Sequence, residues 1–275
     1  MYMTTSSEKN FLLKHWEEQT EVFLKNLASV RLKPGKRNIH DLRVAIKKMK
    51  STLRLANLFI HDDKKPDFNS IRLLFRLTGK YRDVEMSIFL LKKIAGKEKL
   101  ELPSLIRNLR AMLIVTRNTA KQEAQKDQET ELAFIHNWIS GQLSPVSNNM
   151  LEKKIEEQVA CITSELKKLH EKFSQHAHEI RIRLKQLFYW LKLPDVNPFF
   201  DKGQMKILDK VLTALGNWHD YFVLHEKTKR FRKEYLVKNT PEYSYTRKAE
   251  EIIKLLQEQW LTSARKGLEK LEIIE

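Results

Sequence analysis

The chain has 275 residues, with 51 Lys and Arg against 35 Asp and Glu, a formal charge of +16, 41% hydrophobic residues and one cysteine. That apolar content excludes a disordered basic tail, and a lone Cys161 excludes a disulfide framework and fits a reducing compartment. The cationic excess points to a polyanionic partner: nucleic acid, an anionic membrane or another phosphate polymer.

Seven glycines and seven prolines among many Leu, Lys, Glu, Ile and Arg favour helix over sheet, and no run of alternating β-branched residues argues for a strand. The opening MYMTTSSEKNFLLKHW lacks the basic-then-apolar layout of a secretory signal. Helical period then runs over 8–31, 37–60, 67–95, 103–126, 130–141, 148–173, 175–192, 203–236 and 242–271. Pro34, Pro66, Pro103, Pro145, Pro194, Pro198 and Pro241 fall between these segments. The junction near Ser174 has no proline, and SQHAHE offers that serine as an N-cap. The reading is eight long helices and one short one. No uncharged run reaches the roughly 20 residues that cross a bilayer, so a soluble, cytoplasmic protein without membrane insertion is expected.

Two stretches repeat. HDLRVAIKKMKSTLRL, starting at His40, aligns without gaps with HEIRIRLKQLFYWLKL, starting at His178. Downstream, TGKYRD (78–83) matches LGNWHD (215–220), placing Gly79 on Gly216, Tyr81 on Trp218, Arg82 on His219 and Asp83 on Asp220. Two matches in one order at nearly one spacing argue for an internal duplication. The expected fold is all-α, two pseudo-symmetric four-helix bundles over residues 1–140 and 141–275, joined around 127–147.

At roughly 100° per residue, with His40 at 0°, Arg43, Lys47, Lys50 and Arg54 lie between about 280° and 340°. Ala45, Ile46, Met49, Leu53 and Ala56 occupy about 140–240°. One helix thus carries a core stripe and, beside it, a cationic stripe that no acid interrupts. Solvated faces normally mix signs, because like charges at i,i+4 repel. His178, Arg181 and Lys185 repeat the spacing and Lys192 repeats Arg54, whereas Phe188 replaces Lys50. His-x-x-Arg-x-x-x-Lys suits a row of phosphates: Arg offers a rigid fork, Lys a compact charge, and His a donor that titrates near neutrality. Arg72, Arg76 and Arg82 on the third helix, and Arg107, Arg110, Arg117 and Lys121 on the fourth, are further candidates. Asp83 and Asp220 read as carboxylates that hold a basic neighbour in place. Cys161, between apolar positions, reads as core, and Trp190 and Trp218 as packing.

These paired histidine helices and Gly-x-x-x-Asp segments resemble the CHAD family, the conserved-histidine α-helical domain, over nearly the whole chain. The resemblance implies two four-helix bundles about a pseudo-two-fold axis and a basic junction that binds inorganic polyphosphate. It carries the anion-binding role to His40, Arg43 and Lys47 and to His178, Arg181 and Lys185, with Arg82 and His219 in matching places. Many members carry a further triphosphate-handling domain with an ExExK signature; this chain lacks that motif and reads as a stand-alone member. Gln186 and Phe188, where basic residues are usual, imply a weaker second half of the site.

The function expected is non-catalytic polyphosphate binding in the cytoplasm, alongside polyphosphate granules, with no cofactor. Non-specific nucleic-acid binding is the second reading, since any phosphate polymer suits the charge, although the His-Arg-Lys helices carry almost no Asn or Gln to read bases. A metal-dependent phosphohydrolase ranks below both. The His-Asp dipeptides at 40–41, 61–62 and 219–220 invite it, but their histidines lie among cations that repel a metal, and neighbours on a helix diverge by about 100°. There is no phosphate-binding glycine loop and no nucleophile elbow.

Overall fold

The structure, a computed structural model, describes residues 9–59, 68–193 and 200–271. Its helices are α1 (Phe11–Leu32), α2 (Lys36–Ala56), α3 (Asn69–Glu98), α4 (Pro103–Ala124), α5 (Glu129–Leu143), α6 (Asn148–His170), α7 (Phe173–Trp190), α8 (Lys202–Tyr235) and α9 (Pro241–Glu269). The described residues include no strand. Pro66, Pro194, Pro198 and the His61–Asp62 dipeptide lie outside the described residues.

Local chemistry explains where these helices start. Pro103 and Pro241 open α4 and α9 at a position whose N–H has no helical partner to lose. Asp201 and Gln204 close a capping box on α8. Asn10 caps α1, and its amide nitrogen also donates to the carbonyls of Leu143 (2.8 Å) and Val146 (2.9 Å), tying the start of α1 to the end of α5. Some caps come from distant helices. The Glu131 carboxylate accepts from the N–H groups of Ser70 and Ile71 (both 3.0 Å) at the start of α3. Glu242 of α9 accepts from Ser104 (2.8 Å) at the start of α4.

Ser174 is not an N-cap. Helix α7 already begins at Phe173, after Lys172, with no side-chain cap. The α6–α7 turn is short, and Phe173 is buried at its exit, so apolar anchoring and not a hydroxyl sets this start.

The helices recur in order: α1 and α6 start at 11 and 148, α2 and α7 at 36 and 173, and α4 and α9 at 103 and 241. Helix α5 occupies the expected joint and packs on α1 and α2. A division after residue 140 would cut it, because it runs on to Leu143. Like meets like across the junction: α2 packs on α7 and α3 on α8. The core is nevertheless shared between the repeats. One cluster joins Trp16, Ile46 and Leu74 to Ile180, Trp190 and Leu208. A second, at the far end, joins Leu91 and Leu105 to Leu224 and Ile253. Among the described residues no helix is long and apolar enough to cross a membrane.

Candidate anion-binding site

The apolar stripe of α2 points inward, with Ala45, Ile46, Met49 and Ala56 at most 1% exposed and Leu53 packed against that core. This orientation turns the neighbouring cationic stripe towards α3, α7 and α8. There a cavity of about 400 Å³ opens at the junction of the repeats. From α2 it is lined by His40, Arg43, Lys47, Lys50 and Arg54, and from α3 by Arg82 and Asp83. Arg181 and Lys185 come from α7, and His219 from α8. The two Arg-x-x-x-Lys spacings thus line one cavity.

Arg43 is held firmly. One of its terminal nitrogens donates to the Phe75 carbonyl (2.5 Å) and lies 3.4 Å from the Thr78 hydroxyl, and its guanidinium lies 4.2 Å from the centre of the Phe75 ring. A Cβ at residue 79 would come within 2.8 Å of that nitrogen, so Gly79 is the gap through which Arg43 passes α3. A Cβ at Gly216 would meet nothing within 4 Å. Arg181, the counterpart of Arg43, is half-buried, and its Nε has no hydrogen-bond partner among the described residues.

Arg82 crosses the junction. It grips the carboxylate of Asp220 with both terminal nitrogens, the second contact at 2.6 Å, and reaches Asp83 at 3.5 Å. Asp220 is 7% exposed. Burial works against the charge on Arg82, but the Asp220 carboxylate outweighs it and raises the pKa. His219 occupies the place equivalent to Arg82. Burial, then nearby Arg181, pushes its pKa down to about 4, so it is neutral through the physiological range and not a near-neutral switch.

The remaining cations are crowded. Burial first and neighbouring cations second lower Lys47 to about 8 and Lys185 to about 7, and burial, opposed by Asp83, lowers Arg43 to about 10. For Lys185 those neighbours are Arg181, Lys47 and Arg82. A polyanion entering the cavity would relieve this repulsion and favour the charged forms of both lysines.

Several expected residues lie elsewhere. His178 is exposed, its ring 5.9 Å from that of His219 and tilted by 44° to it, and it does not line the cavity. Asp220 lies behind the cavity wall, engaged by Arg82. Burial, then Arg54 and Arg72, lowers the pKa of Lys50, but Arg72 does not line the cavity, and nor does the exposed Arg76. Arg110 and Arg117 do not line the cavity. Helix α4 packs on α1 and α3 and leaves both side chains, with Arg107 and Lys121, on an outer face. Cys161 is also corrected: it is exposed on α6, because the apolar neighbours Val159 and Ile162 take the inward positions. Trp190 and Trp218 are buried, and the Trp190 indole donates to the Ser51 carbonyl at 3.2 Å.

Sequence reasoning missed Phe75, which carries Arg43 and, at 5.2 Å, Lys50. It also missed Ser51, Ile182 and Tyr189 in the wall, and Lys227, which faces Asp83. A phenylalanine one turn before the glycine that admits Arg43 is a signal that only contact gives meaning. No cluster of His, Cys, Asp and Glu among the described residues could hold a metal.

Comparison with known proteins follows the same lines. A model of the CHAD domain family matches residues 14–228. The crystal structure of the CHAD domain from the plant Ricinus communis aligns with a TM-score of 0.70 over 98% of this chain and 95% of that one, at 15% identity, a likeness of fold. No curated protein matches.

Proposed function

The chain belongs to the CHAD domain family, which is associated with polyphosphate binding in general, and we propose that it binds inorganic polyphosphate without chemistry, at the junction cavity and along its cationic rim. The observation that carries this reading is the convergence of Arg43 and Lys47 with Arg181 and Lys185, from two equivalent helices, in one half-enclosed cavity. Of the two carboxylates beside them, Asp220 is engaged by Arg82, so the cavity keeps an excess of positive charge. A single orthophosphate needs fewer donors. A chain of phosphates uses a row of them, entering between the helices and leaving past Lys50 and Arg54, and each neutralised cation adds to the salt dependence. This reading places the protein in the cytoplasm, beside polyphosphate granules.

Competition tests it. The protein is loaded with labelled long-chain polyphosphate and challenged at physiological salt with DNA, RNA or orthophosphate. Polyphosphate should be retained against all three, and equal displacement by nucleic acid would sink the specificity. Non-specific nucleic-acid binding stays as the second reading because of one feature: the outer face of α4 carries Arg107, Arg110, Arg117 and Lys121 exposed. Incubation with polyphosphate and a divalent metal separates binder from enzyme. Chain shortening that survives repurification and stops with chelator would establish a hydrolase.

A further inference from the structure

A second cavity, of about 360 Å³, lies on the other side of the α2–α7 contact. It is lined by Val44, Lys48, Ser51 and Thr52 of α2, Phe188 and Tyr189 of α7, Lys192 and Leu193 just beyond it, and His15 of α1. Ser51 and Tyr189 line both cavities and form the wall between them.

In the register that aligns His40 with His178, Ser51 falls on Tyr189, Val44 on Ile182, Lys48 on Gln186, Lys50 on Phe188 and Arg54 on Lys192. The second cavity is therefore lined by the counterparts of residues on the outer flank of the first. That flank holds Lys50, Arg54, Ile182 and Gln186. Of the two departures on α7, Gln186 lines the first cavity and Phe188 the second, which gives the second cavity a different chemistry. An aromatic ring stands where the first flank has a lysine, and the cation moves to Lys48 on the opposite helix.

Four observations describe what this space would hold. No acid lines it, while Lys48 and Lys192 do, with the Lys192 ammonium 4.1 Å from the centre of the Phe188 ring. Val44, Phe188 and Leu193 supply apolar wall, which a bare phosphate chain does not use. The Ser51 hydroxyl, on a residue 7% exposed, has no hydrogen-bond partner among the described residues, a buried donor left unsatisfied. Burial, then Lys48, lowers the pKa of His15, which adds a neutral imidazole.

We propose that this second cavity binds a small organic anion, with an apolar body against Phe188, Val44 and Leu193 and one phosphate or carboxylate group between Lys48 and Lys192. Cations above an aromatic wall give such a ligand both halves of its recognition.

The test uses the intact protein saturated with long-chain polyphosphate, titrated calorimetrically with phenyl phosphate, benzoate, orthophosphate and benzyl alcohol. Phenyl phosphate or benzoate should bind at one site while polyphosphate stays bound, and whichever binds tighter identifies the anionic group. Orthophosphate and benzyl alcohol, each lacking one half of the ligand, should bind at least about tenfold more weakly, a difference of about 1.4 kcal/mol. Lys192→Met should weaken binding by about tenfold with an unchanged helical spectrum. Phe188→Lys, which copies Lys50, should turn the preference towards orthophosphate. Displacement of phenyl phosphate by polyphosphate would make the cavity an extension of the first site and overturn the proposal. So would benzyl alcohol binding as tightly as phenyl phosphate, or unchanged affinity in the Lys192→Met protein. A chain that fails to hold polyphosphate at all refutes the proposed function, and the same titration on the free protein then decides this inference separately.

Discussion

The two halves of the junction are built from matching helices and are unequal. On the α2–α3 side, Arg43 is fixed by a carbonyl, a hydroxyl and an aromatic face, and Gly79 clears its path. On the α7–α8 side, Arg181 lacks a partner for its Nε, Gly216 clears nothing, and a neutral His219 replaces the ion-paired Arg82. Two matching helices therefore hold the same residue type differently: Arg43 is fixed by its neighbours, whereas Arg181 keeps an Nε without a hydrogen-bond partner among the described residues.

Four measurements break or sharpen this contrast. The largest effect is expected from Arg43→Ala combined with Arg181→Ala. Losing two charge-assisted contacts at about 1.5 kcal/mol each should weaken polyphosphate binding by about 100-fold. The salt slope should fall and the helical spectrum stay the same. A collapse of helicity would make the pair structural.

Next comes Asp220→Asn against Asp83→Asn. Asp220 is buried and gripped by Arg82, whereas the Asp83 side chain is 31% exposed. Removing one partner of a buried pair costs about 3 kcal/mol, so Asp220→Asn should lower Tm by several degrees, and Asp83→Asn by far less. Equal losses would show that Arg82 leans on both carboxylates.

Third, polyphosphate affinity should fall between pH 7 and pH 9. Burial and neighbouring cations hold Lys185 at about 7 and Lys47 at about 8. A bound polyanion favours their charged forms, so above those values binding must take up protons. The expected loss is at least about tenfold, and it should shrink in Lys185→Met. The sign for the free protein is opposite. Lys185 binds fewer protons folded than unfolded between about 7 and 10.5, so its contribution to stability rises with pH across that window. A flat binding profile from pH 7 to 9 would mean that the lysines stay charged without ligand.

The smallest effect separates the glycines. Gly79→Ala should destabilise by about 1–2 kcal/mol, because its methyl group would displace Arg43. Gly216→Ala should be neutral or stabilising by up to about 1 kcal/mol, from helix propensity alone. Thermal melts of the two variants decide it.

By itself the amino-acid order determined the helices, their boundaries at Pro34, Pro103, Pro145 and Pro241, and the angular separation of core from charge on α2. All three are local: period and backbone chemistry act within a few residues. It also paired Arg43 with Arg181 and Lys47 with Lys185 through the repeated spacing. Only tertiary structure decided what each cation faces. A period gives an angle about one helix axis and says nothing of the neighbour that packs there. Arg110 and Arg117 share a basic face as regular as that of α2, yet α4 turns it outward, away from the junction. Arg82 and Asp220 come from different repeats and meet only because α3 packs on α8. The neutrality of His219 and the lowered pKa of Lys185 follow from burial and from charges brought together by folding, and a side chain's solvation is a property of everything around it.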